Sequence, residues 1–328
     1  MPNIGNPKVI GYLDNGKLPK CDDSSVDTTM DAWNRLVVKL KESINAGTTF
    51  SKEIVSTQSL ICTTNQGYLG GCLGSNGDIH MAPRETPVGQ KISVSGVVST
   101  YALVYTGGAH LGAVLAPNGD VHFCPRSAPV GQKVNASGVV STYALVYTTA
   151  NEYFGGCLAP NGDIHFIPYS AAVGQKVSAS GVVSTYALVY TRSTAYSGGV
   201  ISPNGDIHFM PGSAATIGQK ISSAGVVSTY SLLNTIAGAY YGGVLAPNGD
   251  IHMVPLNTTV GQKISMSGVV STYTLVNTDD NGHYGGVLSP SGDIYFMSYS
   301  SVPTTKISVL PAIPFPLAVC CSPFLNKF

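Results

Sequence analysis

Five histidines recur at one place in successive copies of a repeated segment: His80, His122, His165, His208 and His252, with Tyr295 in the sixth copy. Imidazoles ligate metals and carry protons near neutral pH, so a ring of them is the first arrangement to weigh. Each lies inside an apolar stretch, and repetition about an axis sets the five far apart. Buried, hydrogen-bonded histidines are therefore expected rather than a metal centre. Tyr101, Tyr143, Tyr186, Tyr230 and Tyr273 recur with them. The copy that has Tyr295 in place of His has Gln58 in place of this Tyr, which points to a shared His–Tyr network.

Seven cysteines (Cys21, Cys62, Cys72, Cys124, Cys157, Cys320 and Cys321) follow no zinc spacing. Cys72 and Cys157 occupy a position held elsewhere by Val114, Val200, Val244 and Val287, and read as small buried hydrophobes. Adjacent Cys320 and Cys321 form the candidate redox pair. No G-x-S-x-G elbow, H-E-x-x-H pair or phosphate loop occurs. The Asp-box and arginine cluster of sialidases are missing too, since the arginines are Arg35, Arg84, Arg126 and Arg192. Near-identical copies provide no asymmetric catalytic centre, so neither enzyme activity, nor a metal, nor a cofactor is expected.

What must position these residues is the repeat itself. The motif GGVLAPNGDIHF places an aspartate at Asp78, Asp120, Asp163, Asp206, Asp250 and Asp293, at spacings of 42, 43, 43, 44 and 43 residues. GQK and SGVVSTYALVYT fill the remainder. Each unit predicts four short strands, with Pro-Asn-Gly-Asp as the first turn because Asn and Gly both accept positive φ. The strands fall, in one copy, at Gly243–Leu245, Asp250–Val254, Gln262–Ser265 and Ser271–Asn277. Four strands per unit at this period predict an all-β, six-bladed β-propeller, in which both faces of each sheet are buried against neighbouring blades. The sixth unit has no fourth strand, and residues 55–63 align with the missing one. An N-terminal strand is thus expected to close the ring. The propeller spans residues 55–310.

Lys91, Lys133, Lys176, Lys220, Lys263 and Lys306 form a further ring. With lysine opening the third strand and aspartate opening the antiparallel second, the two rings fall at opposite ends of the blades. On that placement they serve loop backbone groups and do not pair; an anion-binding ring is the alternative. The hairpin and the SGVVST corner lie at one end, and variable loops at the other. These loops carry His110, Glu152, Tyr153, Arg192, Tyr196, Tyr240, Tyr241, Asp279, Asp280, His283 and Tyr284, with Arg84, Arg126 and Tyr169 between second and third strands. Loops on a rigid scaffold carry recognition, and tyrosine supplies contact area at low entropy cost. This face is the candidate binding surface for a glycan or protein.

Residues 1–54 differ in character, holding 7 of the 17 basic and 7 of the 17 acidic residues. Met30, Trp33, Leu36, Val37, Leu40 and Ile44 follow helical spacing over about residues 28–46, so a helical arm is expected, with Trp33, Leu36, Val37 and Leu40 as its docking face. It packs either on its own propeller or on an assembly. Residues 311–328 form a Pro-rich tail. A net charge of zero and the absence of basic runs argue against nucleic acid. There is neither a secretory signal pattern nor an apolar run of 18 residues, so a soluble protein made in the cytosol, without membrane insertion, is expected.

The Gly-Gly doublet that opens each unit resembles kelch-type propellers, although the kelch Trp is absent and the single Trp33 lies in the arm. The fuller repeat GGVLAPNGDIHF…GQK…SGVVSTY resembles propeller-like virion proteins of tailed phages and other large viruses. That resemblance implies a non-enzymatic structural or adhesive component of a virion surface, used in host attachment, with the arm holding other virion proteins and the loops facing outward. A lectin-like propeller and an intracellular protein scaffold are the alternatives.

Overall fold

The structure is a computed structural model that describes residues 59–63, 65–107, 110–276, 282–298 and 304–308. The chain is an all-β, six-bladed propeller. Five blades are four-stranded antiparallel sheets with strands in sequence order, and the sixth has three strands among the described residues. The second blade runs His110–Leu115, Val121–Pro125, Val130–Val134 and Val140–Ala144. The sixth comprises His283–Leu288, Asp293–Ser298 and Thr305–Ser308. Innermost strands of consecutive blades lie side by side. Of the closing strand expected at residues 55–63, residues 59–63 are not in a strand, and residues 55–58, Gln58 included, lie outside the described residues, as do the helical arm with Trp33, Leu36, Val37 and Leu40, the tail, and Cys320 and Cys321.

The first turn works differently from the sequence expectation. Gly119 alone is left-handed, at φ 87°. Asn118 contributes its side chain instead: its Oδ1 accepts the Asp120 N–H at 3.0 Å. The loop thus ends on a left-handed glycine, which turns the chain without strain.

The first, third and fourth strands begin earlier than the motifs suggest. The third strand opens at Val130 rather than Gln132, so Lys133 stands near its end, beside the start of the second strand. Asp and Lys therefore share one end of each blade. All six pairs form, with Nζ–Oδ2 distances of 2.5 to 2.8 Å from Lys91–Asp78 to Lys306–Asp293. The expectation that these rings stay apart was wrong by a strand register. The Lys91 ammonium holds the Asp78 carboxyl below the usual carboxylate range.

Apolar clusters sit between blades. Val114 and Cys124 of the second blade pack on Ile164, Phe166 and Val177 of the third, and Val244 and Val254 of the fifth on Ile294 and Phe296 of the sixth. Cys157 is buried in the equivalent cluster, and Cys72 packs at the edge of another. Burial of these side chains is the main driving force for stacking the sheets. The first five blades each also carry one buried amide. Gln132 is fully buried, and its Oε1 accepts the N–H groups of Val104 and Tyr105 at 3.0 and 2.8 Å, where the chain leaves the preceding blade. Gln175, Gln219 and Gln262 repeat this clip. So does Gln90, with Ile61 and Cys62 as donors. The segment entering the first blade therefore occupies the place of a strand leaving a preceding blade.

The seam between the last and first blades differs from the other five junctions. Ile79 of the first blade is 45 % exposed, whereas its equivalents Val121, Ile164, Ile207 and Ile251 are each 1 % exposed. On the sixth blade Val287 is 43 % and Met297 41 % exposed, against 0 % for Val114 and Met210.

Candidate functional site

The repeated histidines each pair with a repeated tyrosine. His80, His122, His165, His208 and His252 each place Nδ1 3.1 to 3.3 Å from the hydroxyl of Tyr101, Tyr143, Tyr186, Tyr230 and Tyr273 respectively. That is the His–Tyr network expected from their joint recurrence. Burial pushes His122, His165, His208 and His252 down to about 4, so all four are neutral at pH 7. In the sixth blade Lys306 Nζ lies 5.9 Å above the Tyr295 ring. Among the described residues no group of three or more His, Cys, Asp or Glu could hold a metal ion.

The variable-loop end holds the asymmetric features, but not all of the expected residues face outward. His110, Tyr153, Tyr196, Tyr240 and His283 are the first residues of innermost strands, and they are buried. The reason is a register shift in each inner hairpin, which turns this position into the interface between blades. The tyrosines donate their hydroxyls to third-strand carbonyls: Tyr153 to Val173 at 3.1 Å, Tyr196 to Ile217 at 3.2 Å and Tyr240 to Val260 at 2.8 Å. His110 and His283 replace them, with rings 5.9 Å from Phe123 and Phe296. These five residues serve packing and are withdrawn from the binding surface. Arg192 is exposed beside Tyr190, away from the axis. Asp279 and Asp280 lie outside the described residues.

One position further along, the inner strands carry Leu69, Leu111, Phe154, Ser197, Tyr241 and Tyr284. Phe154 of the third blade lies 5.6 Å, centroid to centroid, from Tyr241 of the fifth. Those blades are not neighbours, so this contact crosses the mouth of the axial channel. Tyr284 stacks on Tyr241 at 4.0 Å and 26°, and Tyr169 packs against Phe154 at 5.5 Å. Burial raises the Tyr241 phenol, and the nearby Arg126 opposes that shift. Tyr284 keeps 47 % of its surface in solvent. The sequence reading missed Phe154 altogether; its signal was an aromatic at a position where the first two blades carry leucine.

Arg126 and Glu152 meet at the junction of the second and third blades. Glu152 N–H donates to the Arg126 carbonyl at 3.0 Å, and the Glu152 carbonyl accepts the Tyr169 N–H at 2.7 Å. Other blades carry Gly67, Ala195, Ala239 and Gly282 where this one has Glu152. Arg126 Nε and Glu152 Oε2 are both buried without a hydrogen-bond partner among the described residues. Burial raises the Glu152 carboxyl above the usual range. Arg84 has the same place in the first blade, with Glu85 at 3.6 Å. The mouth therefore combines an aromatic wall, phenolic hydroxyls and a guanidinium whose Nε has no hydrogen-bond partner among the described residues.

No family model matches the chain, and no curated protein matches it. Solved structures do match. Streptogramin B lyase superposes with a TM-score of 0.65 at 17 % identity, over 76 % of this chain and 82 % of that one. Virginiamycin B lyase from Staphylococcus aureus with quinupristin gives 0.65 at 17 %, over 75 % and 83 %. A protein from Lactobacillus plantarum gives 0.57 at 13 %, over 80 % and 84 %. What is shared is the propeller. At such identities the likeness carries the fold and no activity.

Proposed function

We propose that this propeller is a non-enzymatic, adhesive binding protein that engages a surface glycan at the mouth on its variable-loop end. The observation that supports this is convergence: departures from a near-exact repeat gather in one patch of Phe154, Tyr169, Tyr241, Tyr284 and Arg126. Aromatic faces suit the apolar side of a sugar ring, while phenols and a guanidinium suit its hydroxyls or an acidic substituent. This is one axial site rather than a set of repeated pockets, so the lack of recurring Trp or Arg does not count against it. Placement on a virion surface, and the kelch-like and viral affinities, rest on the repeat's resemblance and belong to the same proposal; a mass-spectrometric search of purified particles tests that placement.

A glycan array probed with the full chain tests the binding. Tyr284→Ala and Arg126→Ala should each weaken a specific signal by about tenfold or more, the scale of a central contact residue. Thermal unfolding should show both variants folded. Undiminished binding by both would refute the site.

A further inference from the structure

The first and second blades carry arginine at the same repeat position, but only the first blade supplies that arginine with a carboxylate. Arg84 and Arg126 each follow the proline that ends a second strand. Arg84 meets the next residue, Glu85, with Nε and Oε1 3.6 Å apart. In the second blade Ser127 stands in place of that glutamate. Its hydroxyl is already engaged, accepting the Asn151 N–H at 3.2 Å and donating to Asn151 Oδ1 at 3.4 Å. Glu152 is buried at the same junction, yet among the described residues no carboxylate, Glu152 included, comes within ion-pair distance of Arg126. A half-buried guanidinium without a counter-charge has given up hydration and gained no ion pair in exchange.

This guanidinium extends toward the axis. Its charge acts on the phenol of Tyr241, opposing the effect of burial there. Tyr241 belongs to the fifth blade, which stands opposite the second in a six-bladed ring. Tyr284, stacked on Tyr241 and partly exposed, presents a ring face beside it. The group that would complete this arrangement is defined by its chemistry. A carboxylate is planar, carries a single negative charge and offers two oxygens that match the guanidinium fork. A tyrosine face suits the apolar side of a sugar ring.

We propose that the mouth selects a carboxylate-bearing sugar, its carboxylate held by Arg126 and its ring laid on Tyr284. The inference rests on the glycan reading above and narrows it to one chemical class. Uronic acids and sialic-type nonulosonic acids are the two sources of that group.

An array can separate the charge from the ring. It holds oligosaccharides ending in glucuronic acid or in N-acetylneuraminic acid, the methyl ester of each, and sulfated neutral analogues. The full chain should bind the free acids of at least one family, which identifies the source. Esterification keeps the ring and removes the charge. It should weaken the signal about tenfold to a hundredfold, the scale of a charge-assisted hydrogen bond. Arg126→Gln should bring acid and ester to the same level. Ser127→Glu places a carboxylate beside Arg126, as Glu85 stands beside Arg84, and should weaken the acids about tenfold. Ser127→Gln, of similar size and no charge, should bind as the parent does. Thermal unfolding checks each variant, and where one fails to fold the acid–ester comparison on the parent chain decides alone. Equal binding of acid and ester overturns the selectivity while leaving a neutral glycan site standing. A preference for sulfate, or a preference for acid over ester that survives Arg126→Gln, overturns it as well. If no glycan binds at all, the underlying reading has failed and this inference falls with it.

Discussion

Acidification should unfold this propeller in a window set by its histidines. His122, His165, His208 and His252 titrate at about 4 in the folded chain because they are buried and because Lys133, Lys176, Lys220 and Lys263 stand nearby. In the unfolded chain each returns to about 6.5. Between those values the unfolded state binds more protons, so stability rises with pH through the window and is lost as pH falls through it. A depression of roughly two and a half units corresponds to about 3 kcal/mol per residue. Four such residues sum to about 12 kcal/mol, comparable with the whole stability of an ordinary domain. The measurement is the guanidinium midpoint at pH 7.5, 6.5, 5.5 and 4.5. It should hold above pH 7 and then drop steeply, with four to five protons taken up on unfolding, since burial also pushes His110 down to about 4. Replacing one histidine by a neutral amide, as in His165→Gln, should remove about one proton from that slope. A midpoint that does not move between pH 7.5 and 5 would refute the reasoning, because it would mean that the imidazoles do not resist protonation in the fold.

Three further substitutions probe other parts of the frame. Gln175→Leu strips the partly buried N–H groups of Val146 and Tyr147 of their acceptor and should cost about 1 to 3 kcal/mol in chemical denaturation. Gly131→Ala drives a Cβ into the ring of Tyr143; a loss of about 1 to 3 kcal/mol in the same assay is expected, because the tyrosine must leave His122. Lys133→Met leaves the Asp120 carboxylate, whose side chain is only 10 % exposed, without its cation, so thermal unfolding should register a loss of about 1 to 3 kcal/mol.

The blades were legible because their signals are local. The spacing of the six aspartates, the Asn-Gly turn and the apolar second strand lie within one unit, and the joint departure at Tyr295 and Gln58 betrayed the His–Tyr bond. The Lys133–Asp120 pair was misjudged because the third strand opens at Val130, and a shift of two residues moves a charge toward the other end of a blade five residues tall. The burial of Tyr153, Tyr196 and Tyr240 depended on register shifts in the inner hairpins, which leave no composition signal. Phe154 and Tyr241 are 87 positions apart in the chain and meet only because the ring brings alternate blades to a common axis. The amino-acid order by itself determined the unit, its strands and their number. Which side chains face one another across the axis was decided by the packing of blade on blade, a property of the assembled blades that no single repeat contains.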